Sequence, residues 1–476
     1  MYRQRRRRRG PSPGLLLLIL LTSSVLGLWM ALRPPALDVP SQGFELRDVT
    51  LVEPGSVRHT GQSLRVEGGR ITRIRSTPPE EDMGPYGGAF VLPGLIDLHV
   101  HHPPSLAIGE RALFSLLFLA HGVTSVRDTG SMLTSLVGHR RRIEAGEVAG
   151  PRIFACGPFL DGDPPSWPGA VVISDAVTAA KAVRDLRSSG ADCIKVYNGL
   201  SAEALATLRR AAAGYDLPIV AHVPDEVPIA EIGRVEVQHL MGLADDWRAI
   251  DPTHRAAYIR ASKAQGLSHT PTLVTFVRSA QLARYDALRT DPVARLLPDY
   301  YRDMLWNPKT NRFAFELSPA SGNGAQERVP AMKAMVADLH ANGVRILAGT
   351  DTMNPFVVPG ASLQEELGHL VDAGLSSEEA WLAATRWAGE ALGVPGLGTL
   401  REGAPADFLI FRRDPSLDLA ALATLEAVVA QGRLYPKPVL DRALDRQRAH
   451  FASPLYQRLS TLFARLALRW VGGEVN

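Results

Sequence analysis

The chain has 476 residues, 46% hydrophobic and 21% charged, with a net charge of +3. That balance fits a globular protein large enough for one catalytic domain and a smaller companion, and excludes a disordered chain. Basic and aromatic residues do not interleave through its middle, so no nucleic-acid partner is expected, and its two cysteines exclude a disulfide scaffold or a thiolate zinc finger.

At the amino end, residues 1–13 hold Arg3 and the block Arg5–Arg9, and residues 14–32 are leucine-rich and uncharged. The run is near the minimum length of a spanning helix. With arginines before it and only Arg33 immediately after, a transmembrane signal anchor is expected. Its N-terminus would be cytoplasmic and the rest of the chain periplasmic or extracellular. The alternative is a cleaved signal peptide that exports the chain.

Residues 33–43 read as a proline-containing linker. Short β-like runs follow at Phe44–Val52, Ser63–Glu67 and Arg70–Ile74, separated by glycine-rich turns as in a small β-sandwich. Similar runs at Gly398–Phe411 and Leu425–Arg433 return to it, so the sandwich is composite, built from 44–92 and 396–435. Between these flanks, residues 93–395 alternate helix-compatible segments with candidate strands. The strands are 91–97, 122–127, 152–156, 192–197, 218–222, 235–239, 267–273 and 344–350. This α/β alternation predicts a (β/α)8 TIM-type barrel. Cys156 and Cys193 fall in two of these strands and read as buried free thiols, with a single bridge as the alternative. The stretch 275–335 carries Tyr285, Tyr300, Tyr301, Trp306 and Phe313, and reads either as extra helical packing or as a lid. Residues 436–476 form an Arg- and Leu-rich helical tail, packed on its own protein or touching a membrane surface.

The chemistry gathers where these strands end. The run Val91–His101 closes on His-x-His, and because strand side chains alternate, His99 and His101 point the same way, with Asp97 on that face too. Strand four carries Lys195 near its end, strand five closes on His222, strand six on His239 and strand eight on Asp351. One histidine after an apolar strand is ordinarily structural. Four of them, with a lysine and an aspartate, at the strand ends of one barrel point to a metal site instead. Nitrogen and oxygen donors without thiolates suit Zn²⁺ or Mn²⁺.

The motifs are Gly94-Leu-Ile-Asp-Leu-His-Val-His101, Ala120-His-Gly-Val-Thr-Ser-Val-Arg-Asp-Thr-Gly130, Ile194-Lys-Val-Tyr197, Ala221-His222, Gln238-His239 and Ala348-Gly-Thr-Asp351. Through them the chain resembles the amidohydrolase superfamily of metal-dependent hydrolases, in particular its imidazolonepropionase-like and prolidase-like branch. The resemblance implies two divalent ions, taken as zinc. His99 and His101 with Asp351 would hold the more buried ion, and His222 and His239 the second. Lys195 would bridge both as a carbamate, because an ammonium or neutral amine cannot bridge. A hydroxide between the ions would attack the substrate carbonyl, and Asp351 would pass its proton to the departing amine. Tyr197, His102 and Arg127 are candidate substrate contacts. His121, His139 and His269 lie off the ligand pattern and read as structural.

The expected function is therefore metal-dependent cleavage of an amide bond in a small molecule, with dipeptides or N-acyl amino acids first. The alternatives are cyclic amides, lactones or esters, heterocycle deamination (against which Lys195 argues), and an inactive membrane-tethered binding protein. A homo-oligomer is compatible with the sequence.

Overall fold

Short apolar runs broken by glycine set the strand order of this computed structural model, which describes residues 22–23, 26–27, 30–167, 169–243 and 250–470. The basic segment 1–13 lies outside the described residues, as does most of the expected anchor 14–32. Among the described residues no helix is long and apolar enough to cross a membrane.

The first strands are β1 (Phe44–Val52), β2 (Arg58–Glu67), β3 (Arg70–Ser76) and β4 (Phe90–Pro93). The central strands are β5 (Leu95–Val100), β6 (Val123–Asp128), β7 (Arg152–Ala155), β8 (Leu160–Asp161), β9 (Val171–Val172), β10 (Ile194–Val196), β11 (Ile219–Ala221), β12 (Glu236–Gln238), β13 (Ser268–Thr270) and β14 (Arg345–Ile346). The last are β15 (Phe408–Phe411), β16 (Leu425–Ala430) and β17 (Arg433–Pro436).

Both flanks of the chain enter one seven-stranded sheet, ordered β17-β16-β15-β4-β1-β2-β3. The two flanks 44–92 and 396–435 thus share a single sheet, which turns back on itself. Ile71 at one end donates to the Ala404 carbonyl at 3.0 Å, and Gly432 at the other donates to Ala406 at 2.9 Å. The reason is burial: Leu46, Val49, Leu64, Val91, Phe408 and Val429 line one apolar face, which the curl covers.

The central strands run parallel. β5, β6 and β7 form one ladder, and β10 through β14 another. Hydrogen bonds join the two at both edges: Asp192 N–H to the Ala155 carbonyl at 2.8 Å, and Leu98 N–H to the Ala348 carbonyl at 3.1 Å. The arrangement is that of a closed TIM-type barrel. The expected first strand 91–97 is in fact two. β4 belongs to the sheet and β5 to the barrel, and Gly94 is the joint, where a Cβ would sit 2.2 Å from Thr124 Oγ1.

Helices interleave with these strands: α1 (Glu110–Ala120), α2 (Leu133–Glu144), α3 (Ala176–Ser188), α4 (Ala202–Ala213), α5 (Pro252–Gln265), α6 (Leu273–Gln281), α7 (Ala325–Ala341) and α8 (Ala361–Asp372). The tail forms α9 (Lys437–Phe451) and α10 (Pro454–Trp470). In the stretch 275–335, Tyr285, Tyr300, Tyr301 and Trp306 are buried in the main core, so these aromatics pack rather than wave.

The cysteines are not free thiols. Cys156 and Cys193 are joined in a disulfide. The stagger between β7 and β10 that pairs Ala155 with Asp192 sets their neighbours side by side.

Candidate metal centre

Each polar side chain of the centre stands at or just past the carboxyl end of a barrel strand, where parallel strands release their pattern and side chains can converge. His99 lies in β5 and His101 just beyond it, Lys195 lies in β10, and His222 and His239 directly follow β11 and β12. Asp351 follows β14 by five residues, at the close of the Ala348-Gly-Thr-Asp351 run. Several of these turns are strained. His239 (φ 58°), Thr272 (φ 52°) and Asp351 (φ 60°) are all left-handed non-glycine residues. Such backbone survives where the surrounding structure holds it, and it clusters at functional sites. Gly349 leaves the needed room, since a Cβ there would come 2.9 Å from that of His99.

One donor atom from each of His99, His239 and Asp351 lies within 4.8 Å of the others, a spacing one ion can span. His101 Nε2 is 3.1 Å from Asp351 Oδ1, and His99 Nε2 is 3.5 Å from the same oxygen. The His222 ring stands edge-on to His239 with centroids 4.9 Å apart. Lys195 is fully buried, and its Nζ has no hydrogen-bond partner. Its charge acts on His99, His222, His239 and Asp351, which places it within the same group. Thus His99, His239 and Asp351 form one candidate metal group, with His101 beside Asp351, His222 beside His239 and Lys195 close enough for its charge to be felt.

The imidazoles are oriented from behind. His99 Nδ1 donates to Gln238 Oε1 at 2.5 Å, His222 Nδ1 to Asn198 Oδ1 at 2.7 Å, and His239 Nδ1 to Thr272 Oγ1 at 2.6 Å. The Thr272 hydroxyl gives its own proton to the Pro271 carbonyl, so it can only accept from His239. These partners fix the tautomer that leaves a lone pair on Nε2, the form a metal ligand needs. Burial, with the Lys195 charge adding to it, holds His99 and His222 well below the usual imidazole range. Burial likewise takes His239 down to about 3. Burial lowers Lys195 to about 7, so its amine is available in neutral form near physiological pH. Against its own burial, Asp351 is held below the usual carboxylate range by His239, His101 and Lys195.

A second layer supports the first. The Gln238 amide donates to Glu236 Oε1 at 2.9 Å, Thr270 Oγ1 donates to the same oxygen at 2.6 Å, and Arg127 forks onto both Glu236 oxygens. Asp97 accepts from the His99 and Thr350 amides and from the Thr350 hydroxyl, tying β5 to the loop that carries Asp351. Sequence reasoning gave Asn198, Thr272, Glu236 and Thr350 no role. Their only signal is proximity to a ligand in sequence or in the neighbouring strand.

The expected substrate contacts divide. Tyr197 walls the pocket, with its ring 4.1 Å from the His222 ring and 4.8 Å from Phe159 between centroids. Arg127 and His102 are each held by a buried carboxylate. Arg127 is spent on Glu236 inside the barrel. The His102 side chain is fully buried and bonded through Nδ1 to Asp128 Oδ2 at 2.8 Å, behind the wall that His101 faces out from. His139 bonds Ser115 and His269 bonds Ser262, both buried. His121 Nδ1 donates to the Leu117 carbonyl one turn earlier in its helix.

Comparison with known proteins places this geometry in a family. The family model described as "Amidohydrolase family" matches residues 90–434. Imidazolonepropionase of Photorhabdus laumondii subsp. laumondii is 42% identical over 78 residues, which cover 16% of this chain and 19% of that protein. Among solved structures, a bottromycin amidohydrolase superposes with TM-score 0.69 at 25% identity, covering 90% of this chain and 94% of its own. A Xaa-Pro dipeptidase with methionine bound in its active site gives 0.63 at 20% identity, covering 83% and 100%. Ochratoxinase of A. niger gives 0.60 at 19%, covering 84% and 96%.

Proposed function

The chain belongs to the amidohydrolase family, and we propose that it hydrolyses the amide bond of dipeptides or N-acyl amino acids at a binuclear centre. The observation that carries this reading is Lys195: a buried amine without a partner, among four imidazoles and a carboxylate. Leaving a buried amine unsatisfied is costly. Addition of CO₂ to Nζ, with loss of one proton, gives a carbamate anion with two oxygen donors and removes that cost.

The donor set fits two divalent ions, taken as zinc: His99, His101 and Asp351 would hold one, His222 and His239 the other, and carboxylated Lys195 both. When bound, these ions supply Lewis acidity and a nucleophile at neutral pH. The residues do the rest. Asp351 takes a proton from the attacking water and returns it to the departing amine nitrogen. The Tyr197 hydroxyl, on the ring beside His222, would donate to the oxygen that gains charge as the carbonyl carbon becomes tetrahedral. The names of the neighbouring structures, a dipeptidase and a bottromycin amidohydrolase, agree with an amide substrate.

We further place the catalytic barrel beyond a membrane. The arginine block and the apolar run 14–32 support this. So does the Cys156–Cys193 disulfide, since such bonds persist in oxidising compartments.

The test loads the full chain with zinc in bicarbonate and follows amine release across dipeptides and N-acyl amino acids. Lys195→Ala should abolish turnover and lower the metal content below two per chain. Two ions bound with no amine released from any member of the library would overturn the amide assignment and leave lactones and esters.

A further inference from the structure

We infer that the C-terminal helix α10 is a membrane-surface element that lays the barrel flank carrying α1 against an anionic bilayer. The helix has two apolar sides. Tyr456, Ala464 and Leu468 face the protein and are buried. Leu455, Leu462, Phe463 and Leu466 form a second stripe that is 45% to 54% exposed. Positions 455, 462 and 466 recur at the i, i+7, i+11 spacing of one helix face, and Phe463 widens it. A helix buried on one side only would carry polar residues here. Instead, exposed Arg458 and Arg465, seven apart, run alongside the apolar stripe. Apolar residues flanked by arginine are the pattern of helices that lie in the headgroup region of anionic membranes.

A second observation says which occupant covers the stripe. The chain leaving the apolar run 14–32 is clamped to the tail. His450 Nε2 donates to the Leu32 carbonyl and the Gln447 amide to that of Pro35, each at 3.1 Å. Leu32 and Leu37 are buried in the main core. The clamp on Leu32 therefore lies four residues before α10 begins, and α10 is fixed in turn by Tyr456 donating to Glu110 at 2.7 Å. Beside it lies a cavity of about 550 Å³ whose wall includes Arg33, Arg111, Ile108 and the Arg142–Glu147 ion pair, and the Ile108 carbonyl also receives the Tyr456 hydroxyl. The exit of the hydrophobic N-terminal run thus lies beside the helix that carries the apolar stripe and its arginines. A lipid surface with negative headgroups matches all three. A second copy of this chain would carry the same positive charge on the same face.

The inference shares with the proposed anchor only the side on which the bilayer lies, and one experiment separates them. Because the native cysteines are in a disulfide, a single new cysteine can be labelled without reduction. Zinc-loaded full chain carrying an environment-sensitive fluorophore at Leu462→Cys is reconstituted in phosphatidylcholine vesicles, with and without about 30 mol% phosphatidylglycerol and with spin-labelled lipid as quencher. Glu203→Cys on α4, which follows the fourth barrel strand where α1 follows the first, is the control. The expected result is at least about twofold quenching at position 462, none at 203, and weaker quenching without phosphatidylglycerol or in Arg458→Glu/Arg465→Glu. Vesicle association without quenching at 462 overturns the role of α10 while leaving the anchor standing.

Discussion

Two clusters of buried polar side chains lie in this protein, and they differ in whether their hydrogen bonds are complete. Around Glu110 they are. The carboxylate accepts from the Tyr300, Tyr301 and Tyr456 hydroxyls, all at 2.7 Å, and joins α1, the 275–335 stretch and α10. Burial pushes the Glu110 carboxyl up and the three phenol bonds pull it back. In the candidate metal centre, by contrast, the imidazoles of His99 and His239 are bonded through Nδ1 and turn Nε2 toward Asp351, and Lys195 Nζ bonds to nothing. Equal burial with unequal satisfaction is what a candidate ligand site beside a structural cluster would show: the first is finished by the chain itself, the second leaves an amine that a bound group could complete.

The sharpest break of this contrast is Asp351→Asn. The amide keeps the shape and one donor oxygen but cannot cycle a proton, so turnover should fall ~10³-fold with most of the metal retained. Unchanged turnover at full metal content would remove Asp351 from the proton path. Glu110→Ala should do the reverse. Three buried hydroxyls lose their acceptor, costing roughly 3 kcal/mol in unfolding free energy, while kcat of the zinc-loaded enzyme stays near that of the parent. Denaturant titration and turnover on one sample decide this, and a kcat loss matching that of Asp351→Asn would erase the distinction between the clusters. Gln238→Leu tests the boundary between them. It removes the partner that orients His99, so metal affinity should weaken about 10- to 100-fold, read by competition with a chelating dye.

The finished and unfinished clusters were unequally legible. The ligands announce themselves because each follows a short apolar run, and the runs alone place the strands to within a few residues. Asn198, Thr272 and Glu236 do not, because each acts across to a neighbouring strand and register is not written in either strand by itself. The disulfide is hidden for the same reason. Cys156 closes one strand and Cys193 opens the next, opposite ends for unstaggered parallel strands, and only the barrel's stagger unites them. The Glu110 cluster draws on residues 190 and 346 positions away, which no local pattern connects.

The smallest effect sharpens the contrast at Glu366, a buried carboxyl that sits between the two cases. It accepts from the Leu273 and Val274 amides at the start of α6 at 3.0 and 2.7 Å, yet burial pushes it up to about 8. An acid raised in the folded state binds its proton more tightly there than in the unfolded chain. Its contribution to stability is therefore fully present below the ordinary glutamate range and is lost as pH rises through about 8. Between those limits unfolding free energy should decline with pH by up to about 1.4 kcal/mol per unit from this one group. Glu366→Gln cannot titrate and should flatten that slope without moving kcat. A slope unchanged in Glu366→Gln would mean that the two amide bonds already hold the carboxylate ionised, and Glu366 would join Glu110 among the groups the fold completes by itself.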